Sequence, residues 1–275
     1  MYQDYWQLAT KPFEPYVGTE VEGWYFPSEP HEGASLKLRY ALDSRRTAMA
    51  IAGPIGVGKT MLIHRVIADL DEPMWPIAHV VFPQMSGREL LAYLADELQA
   101  PPVEDPRWTI DESLRRIENW LATNQAEGRH ALVVVDEAHL LEESGSLETL
   151  RLLLNLGDGK PAMSLLLIGQ MSLLSALGRT PALEDRIAVR SLLRTFTSAE
   201  TAEYIGHRMQ AAGADREIFT TNAINTIHQL AGGAPRSINR LADLALIIGF
   251  AEQLATIDAA HINSVSQELL SVTPG

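Results

Sequence analysis

Residues 53–60 (GPIGVGKT), set between an apolar run and a helix-forming stretch, limit what this chain can fold into more than any other feature. They match G-x-x-x-x-G-K-[ST], a loop whose backbone amides curl inward around a phosphate. Gly53, Pro54, Ile55, Gly56, Val57 and Gly58 form the cradle, and the glycines allow the curl. The helix that follows turns its positive end toward the same anion. Lys59 supplies a point charge and Thr60 a hydroxyl suited to Mg²⁺. Such a loop works only with a strand before it and a helix after it, so a sheet with helices is already implied.

The hydropathy pattern agrees. Apolar runs at 47–52, 77–82, 131–135 and 164–168 read as strands buried on both faces. A fifth run at 188–196 contains Arg190 and Arg194. Helix-like stretches at 60–70, 87–98, 111–122 and 147–155 alternate with them, as a parallel sheet covered on both faces requires. After Phe196 the pattern turns helical only. Thr197 and Glu200 have the spacing of a capping box opening a helix to about residue 212. Further helices are expected at 221–230, 236–253 and 258–269. The expected organisation is therefore an extension at 1–46 packed on the core, a nucleotide-binding α/β domain at 47–196 and a helical lid at 197–275.

Composition removes several alternatives. A chain of 275 residues with 46% apolar residues can build a sizeable core, and it is not a disordered sequence. It has no cysteine, which excludes disulfides, thiolate chemistry and cysteine zinc sites. The net charge of −13 argues against a protein that coats nucleic acid or anionic membrane by bulk charge. The uninterrupted apolar stretch 244–251 is far shorter than the roughly 20 residues a bilayer needs. No membrane span and a cytoplasmic location are the expectations.

Two strand ends carry polar chemistry. Run 131–135 ends in Asp136 and Glu137, and the carboxyl ends of parallel strands gather at the ligand-binding edge. There Asp136 would hold the Mg²⁺ shell and Glu137 would polarise the attacking water. His139 completes a D-E-A-H string, which also marks helicases, but those need two such domains and one fits here. It reads as a packing or supporting residue. Gln170, ending the next strand, could bond the γ-phosphate or the lytic water. Arg236 falls in the first turn of a helix opened by Pro235, where the dipole disfavours a cation unless an anion compensates. Arg179, Arg186, Arg190 and Arg194 cluster around the fifth strand, and they read either as a solvated basic face or as a set of which one reaches a neighbouring subunit's ATP.

Together the loop, the D-E strand end, the polar strand end, the arginine-bearing fifth strand and the G-x-P-R entry to the lid resemble an AAA+ ATPase. More narrowly, residues 5–13 (YWQLATKPF), 25–28 (YFPS), 167–170 (LIGQ) and 235–239 (PRSIN) resemble the ATPase domain of the general secretion pathway A family. The resemblance implies a P-loop NTPase α/β fold with a helical lid, ATP and Mg²⁺ as cofactors, and a ring or helical homo-oligomer. It makes Lys59 and Thr60 the phosphate and metal residues, with Asp136 in the metal shell and Glu137 the catalytic carboxylate. Gln170 becomes the first sensor and Arg236 the second, with Arg186 the trans-acting finger and Arg190 its reserve. The implied role is a motor or switch in a secretion or pilus-assembly system, with a protein partner there. The same core also resembles transposition regulators that sit on DNA and recruit a recombinase. For that alternative, Lys37, Arg39, Arg45, Arg46, Arg115 and Arg116 are the candidate DNA-facing cations.

Overall fold

The computed structural model describes residues 1–14, 23–71, 74–102, 109–157 and 161–271. Among these, five strands form one parallel sheet: β1 (Ala48–Ala52), β2 (Ile77–Val80), β3 (Ala131–Val135), β4 (Met163–Gly169) and β5 (Ile187–Leu192). Their spatial order is β2-β3-β4-β1-β5. The three inner strands are buried along their whole length, which is why they read as unbroken apolar runs rather than as alternation. The edge strands alternate in exposure, so β5 tolerates Arg190 at an open position.

The chain divides into two compact units. One consists of Glu29–Pro54 and Leu62–Leu193, the other of Met1–Ser28, Ile55–Met61 and Arg194–Gly275. In the sheet unit, Ala50, Val80, Val133, Val135, Leu165 and Leu167 share a core with helices Gly87–Glu97, Ile110–Ala126 and Ser146–Leu153. Burying one such aliphatic side chain contributes roughly 1.5–3 kcal/mol. Helix Gly87–Glu97 starts in a capping box in which Ser86 accepts from the Glu89 amide and Glu89 accepts from the Ser86 amide.

The helical unit is built on Pro235–Ala251, whose inner face (Ile238, Leu241, Ala245, Leu246) is fully or nearly buried. Trp6 is fully buried there, and its indole N–H donates to the Leu246 carbonyl at 2.9 Å. Arg208 is also buried: its Nη2 donates to the Glu14 carbonyl at 3.1 Å, and its guanidinium lies 4.8 Å from the Trp24 ring centre.

Some boundaries differ from the sequence reading. The first 46 residues are not one extension. The short helix Tyr2–Trp6 and residues to Ser28 belong to the helical unit because Trp6, Leu8 and Phe13 are core residues of that unit. Helix Glu29–Asp43, within the stretch read as an extension, belongs to the sheet unit. Strand β2 stops at Val80, leaving Val81 and Phe82 exposed. Strand β5 stops at Leu192, because the Phe196 amide turns away to donate to the Gly233 carbonyl at 2.8 Å.

Candidate functional site

At the carboxyl edge of the sheet, β4 lies between β1 and β3, with Ala52 opposite Gly169 and Val135 opposite Leu167. The strand order therefore sets Gly53, Gln170 and Asp136 on three adjacent strand ends. The Gly53 amide donates to the Gly169 carbonyl at 3.2 Å, tying the start of the loop to β4. The Gln170 carbonyl accepts from the Leu173 amide at 3.0 Å at the start of helix Ser172–Gly178. Gly169 is required for close approach, since a Cβ there would lie 3.0 Å from the Leu173 Cβ and 3.3 Å from the His139 amide nitrogen.

Beyond β3, the Asp136 amide donates to the Val80 carbonyl at 2.9 Å, and Asp136 Oδ1 accepts from the Glu137 amide at 2.8 Å. Glu137 has a left-handed backbone (φ 49°, ψ 35°) that ends the strand and turns the chain into a short helical turn over Ala138–Leu140.

The rest of the loop, with the first residues of helix Lys59–Ala68, belongs to the other unit. Gly56 (φ +76°) and Gly58 (φ +95°) hold backbone conformations open to glycine. Val57 is fully buried, Lys59 is only 8% exposed and Thr60 is exposed. A lysine so enclosed at a helix start is suited to an anionic ligand. Pro235 is the first residue of its helix, as the sequence implied. The adjacent Arg236 amide donates to the Gly56 carbonyl at 3.1 Å, so the loop and the start of helix Pro235–Ala251 meet directly.

The arginines around β5 separate by their partners. Arg179 bonds Glu142 through two nitrogens, Arg190 pairs with Glu184 at 2.7 Å, and Arg194 pairs with Glu200 at 2.6 Å. Arg186, immediately before β5, bonds the Asn155 side-chain carbonyl and has no carboxylate partner among the described residues. The candidate DNA-facing cations fare differently. Arg116 is buried, bonded to Asp96 at 2.8 Å and to the Ala100 carbonyl at 2.7 Å, so it is structural. Arg115 pairs with Asp111, Arg39 with Asp69, and Arg45 bonds the Gly128 carbonyl.

Sequence reasoning read His139 as a supporting residue without saying what it supports. It lies against Glu137, with Nδ1 3.4 Å from Glu137 Oε2. The two-residue spacing across a turn was the available signal. Among the described residues no cluster of histidines and acids has the arrangement of a resident metal centre, and no helix is long and apolar enough to cross a membrane. A Mg²⁺ held with a nucleotide needs few protein ligands, and an oxygen donor such as the Asp136 carboxylate suits it.

A family model described as an AAA domain matches residues 42–177. The chain is 34% identical over 277 residues to the general secretion pathway protein A of Aeromonas hydrophila, covering 99% of this chain and 49% of that protein. It thus spans about half the length of that relative. Among solved structures, the Aeropyrum pernix ORC2 protein in its ADPNP-ADP complexes is similar, with a TM-score of 0.69 at 16% identity over 96% of this chain and 74% of that one. The Thermotoga maritima RuvB Holliday junction branch migration motor gives 0.61 at 17% identity over 95% and 74%. At such identities these two establish the fold alone. The AAA-domain match, which takes in β1 to β4, joined to the 34% identity along nearly the whole chain, makes this an AAA-domain chain resembling general secretion pathway protein A.

Proposed function

We propose that the chain binds ATP with Mg²⁺, hydrolyses it within a homo-oligomer, and acts as a motor or switch in a secretion or pilus-assembly system. The observation that carries the reading is the row of adjacent strand ends bearing Gly53, Gln170 and Asp136-Glu137, each with the chemistry one step needs. Residues Gly53 to Gly58 cradle the phosphates, Lys59 neutralises them, and Thr60 and Asp136 hold the metal. Glu137 takes the proton of the attacking water, and Gln170 orients the γ-phosphate or that water. Arg236 answers the nucleotide from the lid. Mg²⁺, when bound with ATP, withdraws charge from the phosphate oxygens.

The expectation of an oligomer draws on Arg186, which among the described residues bonds an amide where Arg179, Arg190 and Arg194 each pair with a carboxylate. A cation left with an amide partner can exchange it for a phosphate at small cost. The secretion role draws on the likeness to general secretion pathway protein A, and a protein component of that system is the proposed partner. A DNA-bound regulator of transposition is the second reading, and it has less support because Arg116 is internal and Arg39 and Arg115 are ion-paired. Phosphate release with and without Mg²⁺, and duplex DNA retardation with and without ATP, test the two readings. Metal-independent turnover would overturn the first, and ATP-dependent DNA retention would favour the second.

A further inference from the structure

Five side-chain nitrogen or oxygen atoms among the described residues are shut off from solvent without a hydrogen-bond partner, and two of them face each other: Glu137 Oε2 and His139 Nδ1, 3.4 Å apart. Buried polar atoms in folded proteins are nearly always satisfied, and one left alone costs about 1–3 kcal/mol. These two are complementary, because a carboxylate oxygen accepts and an imidazole Nδ1–H donates. Closing the gap by a few tenths of an ångström satisfies both at once. The rest of the Glu137 side chain is open: it is 46% exposed, against 12% for His139. His139 itself is fixed by its backbone, which packs on the close-approach position at Gly169.

We infer that His139 is a positioning residue for Glu137: its Nδ1–H holds Oε2 and leaves the other carboxylate oxygen aimed outward to accept the proton of the attacking water. The inference rests on the assignment of Glu137 as the water-activating carboxylate. The grip counters the freedom of a glutamate on a left-handed turn, where three side-chain torsions would otherwise scatter the carboxylate. It also removes one oxygen from competition for the water, so proton transfer has a single acceptor.

Turnover of ATP in the full chain tests this with His139→Leu and His139→Asn. Asparagine keeps an N–H donor near the Nδ1 position, whereas leucine keeps bulk only. The Leu variant should bind ATP as the wild type does, with KM unchanged and kcat lowered on the order of 10-fold, the scale of an orienting hydrogen bond. The Asn variant should recover most of that loss. In a Glu137→Gln background the leucine substitution should add no further loss, since the group it orients is gone. Unchanged kcat in His139→Leu, or an equal loss in the Leu and Asn variants, would overturn the inference. Full turnover by Glu137→Gln alone would instead overturn the assignment of Glu137, so the two failures are distinguishable.

Discussion

The amide of Arg236 donates to the carbonyl of Gly56 at 3.1 Å, and a Cβ built on residue 56 would lie 2.8 Å from the Arg236 Cβ. Gly56 is thus constrained twice, by its positive φ and by the Arg236 side chain against it. Gly56→Ala should strain the loop by about 1–3 kcal/mol and push Arg236 off the carbonyl. Calorimetric ATP affinity should fall at least tenfold with the sheet intact by circular dichroism. Wild-type affinity would show that neither constraint serves binding.

Glu200 closes the entry to the helical unit. It accepts from the Thr197 amide at 2.7 Å and from Arg194 at 2.6 and 3.0 Å. These donors, Arg194 first, pull its carboxyl down to about 2 from 4.5. A carboxyl depressed in the fold stabilises fully above pH 4.5 and loses that contribution as pH falls toward 2. Glu200→Ala should destabilise by about 1 kcal/mol at neutral pH, and Glu200→Gln by less, because glutamine keeps the reciprocal cap. Thermal melts of both variants check the order.

His130 acts through pH in the same direction for a different reason. Its ring is 1% exposed and stacks edge-on against Trp75. Ser164 Oγ spends its hydrogen on the Arg46 carbonyl at 2.6 Å, so the imidazole Nε2, 2.9 Å from that oxygen, is the donor. Burial pushes the ring down to about 4 from 6.5. As pH falls through that interval the unfolded chain takes up a proton that the fold refuses, and stability drops by up to about 3 kcal/mol. Urea midpoints should fall from pH 7 to pH 5, and His130→Phe should show a shallower slope. An equal slope would place the pH sensitivity elsewhere.

Much of this was legible because the rules that govern it are local. Residues 131–135 could be read as a strand since a doubly covered strand is apolar throughout, and β1, β3 and β4 are the three inner strands. The Thr197–Glu200 box was readable because capping has a fixed spacing. Helix Ser172–Gly178 went unread, being too short to show a period of 3.6. The placement of Trp6 against Leu246 is tertiary, 240 residues apart in sequence, and no local pattern encodes it. Nor could spacing tell Arg116, buried against Asp96, from Arg115, which is exposed and paired one turn away.

Lys59→Ala should abolish ATP binding by calorimetry, because the loop amides alone cannot offset the charge of a triphosphate. Glu137→Gln should bind ATP normally and turn it over very slowly, since shape is kept and basicity lost. With ATP and Mg²⁺ that variant should accumulate as an assembly that light scattering resolves from the nucleotide-free chain. Normal binding by Lys59→Ala would remove the loop from the site.

Arg186 sits between helix Pro181–Glu184 and β5, its backbone amide bonded to the Leu183 carbonyl at 3.0 Å and its guanidinium bonded to an amide rather than a carboxylate. Arg190, the reserve candidate, is held by Glu184 and would have to break that ion pair to act. Arg186→Ala should therefore keep ATP affinity and lose turnover by roughly 10³-fold, the scale of trans-acting arginines. Arg190→Ala should lose much less. Mixing decides whether the action crosses subunits: Arg186→Ala offers an intact nucleotide site and Lys59→Ala an intact arginine. A mixture of the two should recover activity that neither has alone. A mixture that stays inactive although the chains co-assemble, or recovery that needs Arg190 instead, would overturn the assignment of Arg186.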